Sequence, residues 1–197
     1  QPLAERLRPR TAQDVIGQSH LLKPGGLLAR LLAAEELPSM ILWGPPGVGK
    51  TTLARLLATT ARAAFEALSA VQAGISDLKV LLERASERLN FHNQTTVLFL
   101  DEIHRFNKTQ QDFLLPHVES GRLVLLGATT ENPGFAVIPA LRSRCISVAL
   151  QGLDEDDLKS VISRGLDCLE AQAEEPAIEL LVRWSQGDAR RSLNLLE

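Results

Sequence analysis

A chain of 197 residues, 45% of them hydrophobic, suits one large domain, or one domain with a smaller appendage, around a substantial buried core. A formal net charge of −3 excludes a globally basic nucleic-acid binder, and an aromatic content of 4% with no Tyr supplies few platforms for stacked bases, which leaves only a local basic face open. Two cysteines, Cys145 and Cys168, in no metal-ligand spacing indicate a reducing, intracellular setting. No apolar run approaches the roughly 18 residues of a membrane span. The opening QPLAERLRPR lacks both a signal-peptide apolar core and an initiator Met, so a fragment or trimmed chain is expected.

Along the chain, Leu27, Leu28, Leu31 and Leu32 have helical spacing that Pro38-Ser39 must break. Met40 to Trp43 reads as a short buried strand. Thr51 to Ala61 reads as a helix with Leu53, Leu56 and Leu57 on one face. Ala64 to Leu68 is a weak strand, and Ile75, Leu78, Leu82, Ala85 and Leu89 mark an amphipathic helix. Val97 to Leu100 is a further apolar strand. Thr109 to Glu119 reads as a helix that Pro116 should kink or split. Leu123 to Leu126 and Cys145 to Leu150 complete the strands. Apolar strands alternating with amphipathic helices predict a parallel α/β sheet covered on both faces. After Gln151-Gly152 the pattern becomes helical. Leu158, Val161, Ile162, Leu166 and Leu169 form one stripe behind Asp154, Glu155 and Asp156. Pro176 opens a second helix, Gly187 closes it, and Asp188 caps a third. The expected division is an α/β core over residues 1–150 and a small all-helical domain over 151–197.

GPPGVGKT, from Gly44 to Thr51, matches the phosphate-loop pattern G-x-x-x-x-G-K-[ST] in its required context, after a strand and before a helix. Its glycines let backbone N–H groups converge on phosphate oxygens at a helix N-terminus. Lys50 would reach the β- and γ-phosphates, and the Thr51 hydroxyl would ligate Mg²⁺. Pro45, Pro46, Gly47, Val48, Gly49, Lys50, Thr51 and Thr52 are therefore the nucleotide-binding candidates. An ordinary Gly/Pro turn would need neither Lys nor Thr there. LFLDEIHRFNKTQQ, from Leu98 to Gln111, ends an apolar strand in two adjacent carboxylates. Asp101 is placed to hold Mg²⁺, directly or through water, and Glu102 to polarise the water that attacks the γ-phosphate.

These residues resemble the AAA+ ATPases of the clamp-loader group, and within it the RarA/MgsA family, whose eukaryotic member is the WRN-interacting protein. The specific segments are DEIHRFNKTQQDFLLPHVESG and GATTENPGF, and the likeness runs from Leu3-Ala4 to Gly187-Asp188-Ala189-Arg190. The resemblance implies a phosphate-loop NTPase core with a helical lid, and ATP with Mg²⁺ as cofactors. It implies that Arg8-Pro9 and Val15-Ile16-Gly17-Gln18 pack around the adenine, a capping strap over the core being the structural alternative. Thr130 matches the sensor that positions the attacking water, with Thr129 as the neighbouring possibility. Arg144, in Ser143-Arg144-Cys145, matches a finger reaching into the next subunit, and Arg190 a lid sensor touching the γ-phosphate in cis. His104, Arg105, Lys108 and Gln111 are assigned to DNA contact, or to coupling with Glu102 or a subunit interface, against a bland solvated loop. Ser69, Gly74 and Lys79 lie where clamp loaders also approach DNA.

The function so implied is DNA-dependent ATP hydrolysis at replication forks or recombination intermediates, in DNA damage tolerance. The partners implied are DNA, replication proteins and further copies of the chain, with no membrane. The setting implied is the bacterial cytoplasm near the nucleoid, or a nucleus in a eukaryote. Family members continue into a C-terminal oligomerisation domain, whereas this sequence stops at Glu197. Two competing classes are a small-molecule kinase on a phosphate-loop fold and a non-hydrolysing structural subunit. The first needs neither Ser-Arg-Cys nor a helical domain ending in Gly-Asp-Ala-Arg. The second would be expected to have lost Lys50, Glu102 or a sensor.

Overall fold

The computed structural model describes residues 1–34 and 37–197. Five strands form one parallel sheet: β1 Met40–Trp43, β2 Ala64–Ser69, β3 Thr96–Asp101, β4 Val124–Thr129 and β5 Ile146–Ala149, in the order β2-β3-β4-β1-β5. The helices are α1 Leu3–Arg6, α2 Ser19–Leu22, α3 Leu27–Ala33, α4 Lys50–Thr60, α5 Ile75–His92, α6 Lys108–Glu119, α7 Pro133–Ala136, α8 Pro139–Arg142, α9 Glu155–Leu169, α10 Glu175–Ser185 and α11 Ala189–Leu196. Short 3₁₀ turns at Ala12–Asp14 and Ile103–Arg105 complete the described elements. The α/β parallel architecture expected from the alternating pattern is present.

The middle strands are apolar on both faces because helices cover both. One cluster packs α5 and α6 on Ile41, Leu98, Leu100 and Leu125; the other packs α3 and α4 on Met40, Leu42, Val97, Phe99 and Leu126. A third cluster joins α9, α10 and α11 through Leu158, Ile162, Val182 and Leu193, and it also takes in Leu3, Leu7 and Ile16 from the N-terminal segment. The first residues therefore pack with the last helices, and Leu3 is fully buried among them.

Two local features differ from expectation. Pro116 does not split α6, which runs unbroken from Lys108 to Glu119. Pro116 and Asp112 are both exposed, so the ring faces outward and the carbonyl it leaves unbonded can meet water. The strand expected at Leu123 runs instead from Val124 to Thr129, in register with β1 through Trp43↔Thr129. Hydrogen bonding to β1 carries it through Gly127-Ala128-Thr129, where the apolar run has already ended.

Candidate functional site

The carboxyl ends of β1, β3 and β4 lie side by side, and a cleft of about 530 Å³ opens beyond them. Ligands in open α/β sheets bind at such strand ends. Its sheet side carries Pro46, Gly47, Val48, Gly49, Lys50, Thr51, Thr52, Asp101, Glu102, Thr129 and Thr130. Its other walls are Arg8, Pro9, Asp14, Val15 and Ile16 from the N-terminal segment, and Leu153, Val161, Arg164, Ala189, Arg190, Leu193 and Asn194 from the C-terminal helices.

The loop between β1 and α4 turns on glycines in the left-handed region, Gly47 at φ +68° and Gly49 at φ +95°, where a side chain would be strained. Gly49 caps α4, so the helix N-terminus opens into the cleft. Lys50 Nζ donates to the carbonyls of Gly44 at 2.8 Å and Pro45 at 2.6 Å. Burial pulls the Lys50 ammonium below its ordinary pKa; Asp101 and Asp188 draw it back up, and Arg190 pushes it down. Lys50 is thus within electrostatic reach of groups from β3 and from α11. Asp101 ends β3, and its Oδ1 accepts from the Glu102 amide at 3.1 Å. Glu102 itself adopts φ +54°, a costly conformation for a side chain other than Gly or Asn, and this turns the chain sharply out of the strand. Thr51 and Asp101 offer hard oxygen donors of the kind Mg²⁺ takes, so these residues fit that ion.

The C-terminal helices reach the phosphate loop directly. The Ala189 amide donates to the Gly47 carbonyl at 3.2 Å. Asp188, which caps α11 through the Arg191 amide at 2.9 Å, lies so close to Gly47 that a Cβ there would fall 1.7 Å from its Oδ1. A two-way amide clamp holds the junction between sheet and helices: Gln18 Nε2 donates to Gln151 O at 2.7 Å, and the Gln151 amide donates to Gln18 Oε1 at 3.0 Å. On the far wall Arg164 donates to the Asp14 carbonyl at 2.6 Å.

Residues 40–153 match the model of the ATPase family associated with various cellular activities (AAA). The chain belongs to this family. It is 47% identical to replication-associated recombination protein A of Coxiella burnetii, over all of this chain and 46% of that protein. To ATPase WRNIP1 of Dictyostelium discoideum it is 44% identical, over all of this chain and 23% of that protein. The structure of the Thermotoga maritima RuvB Holliday junction branch migration motor superposes with a TM-score of 0.81 at 32% identity, covering 96% of this chain and 64% of that one. The chain therefore spans about half the length of the replication-associated recombination protein it matches.

Within this AAA chain, Ser69 ends β2, Gly74 caps α5 and Lys79 lies in that helix, and the other candidates fall in three places. Pro45 and Gly17 do not line the cleft; Pro45 meets Lys50 through its carbonyl, and Gly17 packs on Leu153 near the junction. Arg144 is exposed outside the chain's own cleft, ion-paired with Glu119 and donating to Ala140 O at 2.7 Å. The DNA or coupling set divides. Arg105 and Lys108 are exposed, as a contact surface requires. Gln111 is not: it is 4% exposed, its Nε2 donates to Phe106 O and Ala136 O, and its Oε1 accepts from the Ile138 amide. These hydrogen bonds are internal, so the side chain faces into the protein, where coupling to its neighbours rather than direct contact is the role its position serves. His104 is half-buried and bonded to Thr129 at 2.9 Å rather than projecting with its neighbours.

Sequence reading missed Arg164, Asn194 and Asp14 as cleft residues. The only available signal was Val161 on the α9 stripe, since Arg164 follows it by three residues and shares its face. Among the described residues no cluster of three or more His, Cys, Asp or Glu side chains forms a metal site, and no helix is long and apolar enough to cross a membrane.

Proposed function

We propose that this chain binds ATP with Mg²⁺ in the cleft, hydrolyses it, and couples the cycle to DNA in replication or recombination. One observation carries the reading. The phosphate loop, the Asp101-Glu102 pair, Thr130 and Arg190 come from four separate parts of the sequence and line a single cleft. In this reading the amides of Gly47 to Thr51 cradle the phosphates, and Lys50 leaves its loop carbonyls to pair with them. Thr51 and Asp101 hold the Mg²⁺, which would draw charge from the phosphate oxygens. Glu102 takes a proton from the attacking water, Thr130 orients that water, and Arg190 meets the γ-phosphate from the helical side. Arg8, Pro9 and Ile16 hold the base. Residues 151–197 act as a lid on a core of residues 1–150.

Arg144 acts on a neighbouring copy. It lies outside its own cleft, and its partner Glu119 is replaceable by a phosphate of stronger charge. The relatives named for recombination and branch migration support a DNA target, and Arg105 and Lys108 are the exposed cations that follow Glu102 most directly. The test is phosphate release by the full-length protein with no DNA, single strands, duplex and forks, at several salt concentrations. Turnover that rises with DNA, and a rise that is lost in Arg105→Ala/Lys108→Ala while basal turnover stays, is the expected result. Basal turnover that falls with the stimulated rate, at unchanged salt dependence, would move both residues to the ATP site or a subunit interface. Absence of turnover under all conditions, with ATP bound, would overturn hydrolysis itself.

A further inference from the structure

The structure assigns His104 a role within the site: we infer that it is a positioning residue, latching the loop that carries Glu102 to the rigid end of β4. This rests on the reading of Glu102 as the group that activates water. The ladder between β3 and β4 ends at Leu100↔Gly127. Past that pair, Asp101 and Glu102 have no ladder partner on β4. The next link across the gap is the side-chain bond from His104 Nδ1 to Thr129 Oγ1 at 2.9 Å.

The two sides of this bond differ in rigidity. Thr129 is fixed on its other edge by β1, in register with Trp43, and its carbonyl accepts from the Gly44 amide at 3.1 Å, where the phosphate loop begins. Glu102 leaves β3 in the left-handed region, held by the Asp101 carboxylate at its amide and by the Arg105 amide at its carbonyl at 2.8 Å. Those contacts lie within the same short segment, and the sheet holds that segment on the β2 side, where Asp101 pairs with Ser69 and accepts from the Ala70 amide at 2.9 Å. Ile103 and His104 supply the hold on the β4 side. Ile103 is fully buried, seated where Gly127 has no side chain: a Cβ on Gly127 would lie 3.1 Å from Ile103 Cδ1. His104 then reaches Thr129, placing Glu102 in register with the phosphate loop and with Thr130 next in the chain.

The hydrogen bonds around Thr129 favour one direction for the bond. Thr129 Oγ1 accepts from the Glu131 amide at 3.0 Å, and Thr129 is 1% exposed. Its hydroxyl proton needs a buried acceptor, and Nδ1 of His104 is in place to be one. The latch as inferred has the Thr129 hydroxyl donating to Nδ1 of His104. An acceptor at the Nδ1 position is what the latch requires, and an Asn side chain places its amide oxygen near there.

The experiment compares wild type, His104→Ala, His104→Asn, Thr129→Val and the His104→Ala/Thr129→Val double variant in the full-length protein. Turnover, KM for ATP, affinity for a fluorescent ATP analogue and the melting temperature are read on each. His104→Ala should lower kcat about tenfold, the scale expected when a reacting group is displaced by part of an ångström, with analogue affinity within about twofold of wild type. His104→Asn should recover most of the loss. The double variant should fall no further than the worse single one, because both remove one bond. Losses that multiply, an Asn variant no better than Ala, or unchanged kcat in His104→Ala would each overturn the latch. So would a drop in analogue affinity equal to the drop in turnover, or a melting temperature low enough to account for it. Wild type without turnover would instead remove the hydrolytic reading on which the latch rests.

Discussion

The two walls of the cleft are built differently. On the sheet side, Lys50, Thr51, Asp101 and Thr130 stand at or just past the ends of strands and a helix that share two large apolar clusters. Their positions are fixed by a parallel ladder four to six residues deep. On the helical side, Arg190, Asn194 and Arg164 stand on helices with their own separate core. That core meets the sheet unit through polar tethers, the Gln18–Gln151 clamp and the Ala189–Gly47 bond, beside the packing of Gly17 on Leu153. A wall held by packing keeps its geometry, whereas a wall held by single hydrogen bonds, each contributing about 1 kcal/mol, can move when a ligand offers better partners. The difference supports the proposed role of residues 151–197 as a lid on the sheet core.

The sharpest break in that comparison comes from the sheet side. Glu102→Gln should keep nucleotide affinity while turnover falls by about 10²–10⁴-fold, the range for loss of a general base. Lys50→Ala should lose affinity as well. Equilibrium binding and phosphate release measured on both variants separate these outcomes, and near wild-type turnover in Glu102→Gln would remove it as the base.

Where the walls touch, Gly47→Ala should act on both at once. At φ +68° the new side chain is strained by about 1–2 kcal/mol, and it points into the Asp188 carboxylate. Nucleotide affinity should drop by about tenfold or more. Adding Asp188→Ala should return only the part due to the collision. Full recovery in the double variant would show that backbone strain contributes nothing.

A smaller effect is expected at the junction. Gln18→Ala removes both arms of the clamp, but Gln151 is exposed and water can replace the lost partners. Urea unfolding should show a loss of about 1 kcal/mol, and hydrogen exchange should quicken across residues 151–153 more than in β1 or β3. Equal change in the sheet would argue that the helices are not the looser wall.

The smallest effect concerns pH. Hydrogen bonds from the Thr11 hydroxyl and amide hold the Asp14 carboxyl below its ordinary pKa. A carboxyl lowered in the folded state adds stability above its unfolded pKa and loses it as pH falls through the folded value. Thr11→Val should therefore lower the melting temperature slightly at neutral pH and not in strong acid, where the carboxyl is protonated in both states. A difference that persists at low pH would point to packing rather than charge.

Much of this was legible in the sequence because the informative residues are contiguous. The GPPGVGKT loop declares its fold locally, since strand, glycine turn and helix N-terminus follow one another within a dozen residues. The four-residue helices α1, α2, α7 and α8 were not legible, because one turn is too short to show a period. Gln111 illustrates a different limit. In KTQQDF it reads as a polar residue available for DNA contact or coupling, yet backbone groups of Phe106, Ala136 and Ile138 bond its side chain inside the protein.

The sequence by itself determined the α/β class, the phosphate loop, the paired carboxylates, and the helical character of everything after residue 151. Each follows from short-range pattern and residue chemistry. Only the tertiary structure decided which residues face one another across long separations in the chain. It set Leu3 in the core of the last helices, Ala189 and Asp188 on the phosphate loop, and His104 on Thr129 instead of among the exposed cations beside it. The reason is physical: helical and strand periodicities encode which side of an element is buried, but not which partner covers it. That partner is selected by how the clusters pack and by which buried polar groups must satisfy one another.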